Sequence, residues 1–167
     1  MNSEELRSQQ APLKSRYLEN PAAALVTLHA EGNLGEGISC SVETGKTLVE
    51  AGLHPATGGT GLQACSGDML LQALVACAGV TLSAVATALN IDVENAGIRA
   101  EGDLDFRGTL GVSKEVPAGF RDIRLYFNIS STAQPEQIAK LIELTERYCV
   151  VLQTLRSPLD VKTTVDF

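Results

Sequence analysis

The feature of this sequence that most constrains its fold is an apolar stretch over residues 69–86. A stretch of about eighteen residues is close to the lower limit for a helix that spans a membrane. The stretch also contains Gln72, Gly79, Thr81 and Ser83, and many of its apolar positions are alanine or cysteine. We therefore expect the buried helix of a soluble protein, with no membrane as a partner.

Helix-terminating signals flank this stretch, and they predict a helix over residues 67–89. Ser66 is a good N-cap residue, Asp68 is favoured in a first turn by the helix dipole, and Asn90 is a suitable stop. At about 100° per residue, one face of the helix holds Leu70, Ala73, Leu74, Cys77, Thr81 and Ala84. Because further apolar residues lie on the opposite side, we expect the helix to be buried almost all round. Its small residues would also let a second helix approach closely.

The rest of the chain predicts strands and helices around this helix. Helices are expected over residues 3–19, from Pro135 onward and over residues 150–156, with a break in the helical pattern around Tyr148 and Cys149. Strands are expected over residues 23–29, 37–42, 47–50, 98–106, 121–131 and 161–167, with a turn at 43–46 and loops at 52–67 and 108–119. This order describes a single α+β domain over residues 1–167, with a helical extension at 1–22 and a core at 23–167.

Composition and motifs exclude several classes of function. The formal net charge is −7 and tryptophan is absent, which argues against phosphate-backbone binding and base stacking, so no nucleic acid is expected as a partner. The two histidines, His29 and His54, form no close ligand pair, so no metal site is expected. The glycine-rich loop at 57–61 lacks the lysine of a phosphate loop, and no Gly-x-Ser-x-Gly elbow occurs. We expect no cofactor.

The cysteines remain as candidates for chemistry: Cys40, Cys65, Cys77 and Cys149. They are too few and too scattered for a disulfide scaffold, and the polar first twenty residues lack a signal peptide, so we expect a cytoplasmic protein with reduced thiols. Periodicity alone favours an inert, buried Cys77. Cys77 lies about ten residues into the helix, roughly 15 Å from its N-terminus and beyond the reach of the helix dipole. A cation or a hydrogen-bond donor would have to activate its thiol.

The order of elements resembles a known family. N-terminal strands and a glycine-containing loop precede a long apolar helix with the motif Leu74-Val75-Ala76-Cys77-Ala78, and two strands and a helix then lead into Tyr148-Cys149-Val150-Val151. The separation and context of these two cysteine motifs are similar to those of the OsmC/Ohr family, the osmotically inducible protein C and organic hydroperoxide resistance proteins. The resemblance covers roughly residues 24–167. It implies antiparallel sheets wrapped around long central helices in an intertwined homodimer, with two active sites at the subunit interface.

The resemblance also implies a chemical role for three residues. By position, Cys77 is the peroxidatic cysteine, whose thiolate attacks a hydroperoxide and becomes a sulfenic acid. Cys149 is the resolving cysteine, which condenses with that sulfenic acid to a disulfide that a dithiol then reduces. Glu50 corresponds to the carboxylate that helps to hold the thiolate. The implied function is therefore thiol-dependent reduction of organic hydroperoxides.

The sequence departs from the family pattern in three places. Residues 29–35 contain no arginine, where peroxidatic members carry one; Val150 follows Cys149, where proline is common; and Cys65 is an extra thiol ahead of the helix. The absent arginine keeps a second function open, a non-catalytic dimer of the same fold that binds an apolar small molecule beside Leu70, Leu74 and Cys77. A third alternative is a hot-dog thioesterase-like domain, which also wraps a sheet around a long helix but leaves Cys149 without a role.

Overall fold

The computed structural model describes residues 2–20, 23, 27, 32–34, 39–43, 48–157 and 159–166. Its helices are α1 (Ser3–Glu19), α2 (Ser66–Leu89), α3 (Phe106–Thr109), α4 (Pro135–Tyr148) and α5 (Val150–Arg156). Its strands are β1 (Gly32–Leu34), β2 (Ser39–Glu43), β3 (Leu48–Gly52), β4 (Ala64–Cys65), β5 (Asn95–Leu104) and β6 (Phe120–Ser130). A turn of 3₁₀ helix, Pro55–Thr57, lies between β3 and β4. The expected α+β class is confirmed.

The long apolar helix forms as predicted. α2 has 24 residues and stops at Asn90, whose φ of 54° lies in the left-handed region and cannot continue a right-handed helix. Its start differs by one position, because Cys65 is the N-cap and Ser66 is already the first helical residue. No side chain caps this end of α2.

The described strands form two separate sheets. One sheet has the order β1-β2-β3-β4 and is antiparallel except for the parallel pair of β3 and β4. The other is the long antiparallel pair of β5 and β6, in which Ile98 is opposite Phe127. The strand predicted at 98–106 stops earlier than expected, because the Asp105 side chain caps the start of α3.

α2 is buried along one stripe of residues spaced four apart, which are Leu74, Ala78, Leu82 and Ala86. This stripe faces β5, α4 and α5. On the opposite side Val80 is 73% exposed, and Leu70, one turn before Leu74 on the stripe, is 37% exposed. The prediction of a helix buried almost all round is therefore wrong for the single chain, because the elements that contact α2, which include β5, α4, α5 and α1, leave Val80 exposed.

α2 is long and apolar enough to cross a membrane by length and composition alone. In this fold it is the central core helix, since Leu74 and Ala78 have no exposed surface and their cluster also contains Leu152 of α5. A second cluster joins Leu82 to Leu141 of α4, which is also fully buried. The predicted amphipathic character of α4 is thereby confirmed.

The predicted closing strand at 161–167 is not formed over the described residues. Residues 159–166 contain no helix or strand, and Leu159, Val161 and Val165 are exposed. A strand needs a neighbour for its backbone hydrogen bonds, and neither sheet of the described chain includes this segment. The predicted strand at 23–29 and turn at 43–46 lie largely outside the described residues.

Candidate thiol site

A cysteine interrupts the helical backbone between α4 and α5. Cys149 has an extended backbone, with φ −71° and ψ 105°, and is both the C-cap of α4 and the N-cap of α5. Its N–H donates to the Thr145 carbonyl at 3.0 Å, and its carbonyl accepts from the Gln153 N–H at 2.9 Å. The first N–H groups of a helix have no partner within that helix, so those of Val150 and Val151 are available to donate elsewhere.

This break brings Cys77 of α2 and Cys149 together. Cys149 is fully buried, and the half-buried Cys77 packs against the cluster that contains Cys149, Leu74 and Leu152. The two thiols are within hydrogen-bonding reach of each other. Both are free, and their sulfurs are not at disulfide distance. The fold therefore brings two free thiols into contact.

Several hydrogen-bond donors lower the pKa of Cys77. Burial raises the pKa of this thiol, but hydrogen bonds outweigh burial, so that the net pKa lies below its usual value. The strongest bond comes from the Val151 N–H, followed by the Cys149 thiol and the Val150 N–H. Thr81 contributes least, since its hydroxyl also donates to the Cys77 carbonyl at 2.8 Å. Hydrogen bonds to the charged form of an acid favour that form, so this site stabilises a Cys77 thiolate.

The pKa of Cys149 is shifted in the opposite direction. Burial raises this pKa most, and the Leu152 N–H lowers it. The hydrogen bond to Cys77 and the negative charge of Cys77 raise it again, and the Val151 N–H lowers it least, so that the net pKa lies above its usual value. Cys149 therefore keeps its proton while Cys77 ionises. A nucleophilic thiolate beside a protonated partner thiol is the arrangement that two-step thiol oxidation requires.

Sequence reasoning missed the groups that activate Cys77, because they are backbone N–H groups with no side-chain signature. The available signal was the break in the helical pattern around Tyr148, since every new helix start exposes unpaired donors. Within the part of the chain that the structure describes, no arginine or lysine is among the groups that shift the Cys77 pKa. The backbone N–H groups of Val150 and Val151 are among the described donors that lower the Cys77 pKa.

Glu50 lies on β3, which precedes α2 in the sequence. Its exposed carboxylate accepts a hydrogen bond from Gln63 Nε2 at 2.9 Å. Glu50 is not among the described groups that act on the Cys77 pKa. Its role as the carboxylate of the site stays a prediction.

The other two cysteines lie outside this site. Cys65 is half-buried at the start of α2 and lines, with His54 and Phe106, a cavity of about 330 Å³. The side chain of Cys40 lies outside the described residues. Over the described residues, no three histidine, cysteine or acidic side chains gather as a metal site.

Solved structures share this fold at low sequence identity. The OsmC like protein from Mycoplasma pneumoniae has a TM-score of 0.66 at 19% identity, over 78% of this chain and 88% of its own. An organic hydroperoxide resistance protein from Elizabethkingia anophelis has a TM-score of 0.64 at 19% identity, over 79% and 89%. A protein described in the same way from Legionella pneumophila has a TM-score of 0.62 at 22% identity, over 83% and 95%.

The fold neighbours overturn the hot-dog alternative, because they are OsmC and organic hydroperoxide resistance proteins. A search of the curated proteins finds no match. The family model described as OsmC-like protein matches residues 59–164, which is well over half of the chain. The chain therefore belongs to the OsmC-like protein family.

Proposed function

We propose that the protein is a thiol-dependent reductase of organic hydroperoxides, with Cys77 as the peroxidatic and Cys149 as the resolving cysteine. The main support is the contact between a half-buried thiol whose pKa is lowered and a buried thiol whose pKa is raised. Family membership adds support, since structures of similar fold are named organic hydroperoxide resistance proteins.

In the first step, the Cys77 thiolate attacks the terminal oxygen of the hydroperoxide. The O–O bond breaks, the sulfur is oxidised to a sulfenic acid, and the alkoxide leaves and takes a proton to become the alcohol. The N–H groups of Val150 and Val151 stabilise the thiolate before the attack. They raise the fraction of nucleophile present at neutral pH.

In the second step, Cys149 loses its proton and attacks the sulfenic sulfur of Cys77. Hydroxide leaves, takes that proton and becomes water, and a disulfide forms. The two sulfurs must close from hydrogen-bond contact to about 2.05 Å. An external dithiol then reduces the disulfide by two exchange steps and is itself oxidised to a disulfide. This reductant suits a cytoplasmic location.

The working molecule is a homodimer in this proposal. α2 presents Val80 on its exposed side, opposite the buried stripe, and the apolar residues Leu159, Val161 and Val165 of the closing segment are also exposed. A second copy would bury both surfaces. It would also supply the strand neighbours that the closing segment lacks within one chain.

Stopped-flow measurement of cumene hydroperoxide consumption by the reduced protein tests the function. Cys77→Ser should abolish consumption, and Cys149→Ser should keep the first turnover but lose multiple turnovers with a dithiol. Cys65→Ser is the matched control, since Cys65 is also a half-buried free thiol. Its rate should equal that of the wild type. Consumption by Cys77→Ser at the wild-type rate would overturn the proposal.

A non-catalytic dimer that binds an apolar small molecule is the second candidate. It is favoured by the absence of a cation among the described groups that act on Cys77. A cavity of about 620 Å³ also lies beside α2, and its lining is mixed, with apolar Leu82, Ala86 and Ile98 beside polar Asn90 and Asp92. A measured Cys77 pKa at or above the free-thiol value of roughly 8.5, together with no hydroperoxide consumption, would favour this candidate over the first.

A further inference from the structure

Two polar contacts tie α5 back to α4 across the break at Cys149. Gln153 Nε2 donates to the Glu146 carbonyl at 2.8 Å. Arg156 Nη1 donates to Glu146 Oε2 at 2.9 Å, which makes a salt bridge. Because both contacts span the break, they fix the orientation of α5 relative to the last turn of α4.

The orientation of α5 decides where its first N–H groups point. α5 has seven residues, a length at which a helix has little stability of its own. Its one buried residue is Leu152, which is 8% exposed. Besides Leu152, the half-buried Val151 of α5 packs against the core cluster. Because these apolar contacts are few, α5 can tilt, and a tilt would carry the N–H groups of Val150 and Val151 away from the Cys77 sulfur.

The Glu146–Arg156 pair also borders the core beneath the thiols. Both side chains line a cavity of about 350 Å³ that Leu74 and Leu152 line as well. Leu74 and Leu152 belong to the same cluster as Cys149. The side chains of Leu74 and Leu152 therefore lie between the ion pair and the thiol site.

We propose that Glu146 and Arg156 are positioning residues of the thiol site, whose ion pair, with the bond from Gln153, holds the start of α5 against Cys77. The inference rests on the proposed function, in that it takes Cys77 as the reacting thiol. Neither residue touches the hydroperoxide in this proposal. They act through the backbone of α5.

The test is the pH dependence of Cys77 alkylation by iodoacetamide in the full-length protein, with the modified peptide identified by mass spectrometry. Arg156→Met removes the charge and keeps a long side chain. Lys140→Met is the matched control, because Lys140 pairs with Glu143 on α4 and has the same 52% exposure as Arg156. Arg156→Met should move the alkylation midpoint upward and slow the reaction at pH 7 about two- to fivefold, as expected for an exposed pair. Lys140→Met should leave both unchanged.

Two further variants keep the test decisive. Arg156→Lys keeps the charge and should recover most of the rate, while Arg156→Met combined with Gln153→Leu should slow alkylation further. Thermal unfolding checks that each variant is folded. A folded double variant with the wild-type pH profile would overturn the inference, and so would an equal shift in Lys140→Met. If the wild type consumes no hydroperoxide but Arg156→Met still shifts the alkylation midpoint, the proposed function alone is overturned.

Discussion

The thiols of Cys77 and Cys149 lie within hydrogen-bonding reach of each other, and this contact shifts the pKa values of the two thiols in opposite directions. The pKa of Cys77 falls and that of Cys149 rises, so Cys77 ionises first as the pH increases. In the proposed mechanism this difference makes Cys77 the nucleophile and Cys149 the resolving thiol.

Replacing Cys149 should change the acidity of Cys77. Cys149→Ala removes a donor, so the Cys77 pKa should rise and the alkylation rate at pH 7 should fall. Cys149→Ser keeps a hydroxyl that can donate, so its alkylation midpoint should lie between those of the wild type and Cys149→Ala. Ultraviolet titration of thiolate absorbance provides an independent check. A midpoint in Cys149→Ala equal to that of the wild type would contradict the role of this contact.

Val150→Pro should distinguish the contributions of the two backbone donors, Val150 and Val151, to the Cys77 pKa. Proline is well tolerated at the first position of a helix, and the extended backbone of Cys149 is compatible with a following proline. The variant lacks the Val150 N–H but keeps that of Val151, which is the stronger donor. We expect a small rise in the Cys77 pKa with no loss of thermal stability. A Cys77 pKa that falls in a folded Val150→Pro would be inconsistent with donation from Val150.

Removal of the resolving thiol should expose Cys77 to overoxidation. In Cys149→Ser the sulfenic acid has no partner, so excess hydroperoxide should convert Cys77 to the sulfinic acid. Intact-mass spectrometry should show the gain of two oxygen atoms in the variant, whereas the wild type should instead lose two hydrogens. A stable sulfenic acid in Cys149→Ser under excess peroxide is the contrary result.

Reduction of the disulfide should begin at Cys77. Cys149 is fully buried and Cys77 is half-buried, so an external thiol reaches the Cys77 sulfur more easily. The leaving-group effect acts in the opposite direction. Because the pKa of Cys77 is lowered, Cys77 is the better leaving thiol, which would favour attack on the Cys149 sulfur. We expect access to dominate, since a sulfur without exposed surface offers no line of attack. A monothiol added to the oxidised protein should be trapped on Cys77 in peptide maps, and trapping on Cys149 would be the opposite outcome.

The uncovered side of α2 should be a subunit interface. Val80→Glu places a charge on that side and should shift the protein to a monomer in light scattering at micromolar concentration. Val112→Glu is the matched control, since Val112 is 72% exposed and Val80 is 73% exposed. The control should keep the wild-type mass. A monomeric wild type, or equal effects of the two substitutions, would exclude this interface.

Much of the fold was predictable because local signals and tertiary contacts agree. α2 combines an apolar stretch with a terminating asparagine, and α5 was predicted at 150–156, where the structure places it. The rotation of α2 was not predictable, because small apolar residues occur all round it and periodicity cannot select the buried side. The closing strand was wrong for the single chain, since alternation signals a strand but does not supply its neighbour.

The candidate site was predictable only in part. The two cysteines were identified by their resemblance to a family pattern, and the need for a donor at Cys77 followed from its distance to the start of α2. The donors themselves depend on how α5 packs against α2, which no local pattern specifies. The absence of an arginine at residues 29–35 pointed to a missing activator, whereas the backbone of Val150 and Val151 supplies donors in its place.

The most direct measurement is a time course of disulfide mapping after the reduced protein meets one equivalent of cumene hydroperoxide. If Cys77 is the peroxidatic and Cys149 the resolving cysteine, cumyl alcohol should appear as the peptides that contain Cys77 and Cys149 become cross-linked. The free thiol of Cys65 should persist throughout. Hydroperoxide that remains unconsumed, or a cross-link that joins Cys65 instead of Cys149, would contradict the proposed mechanism.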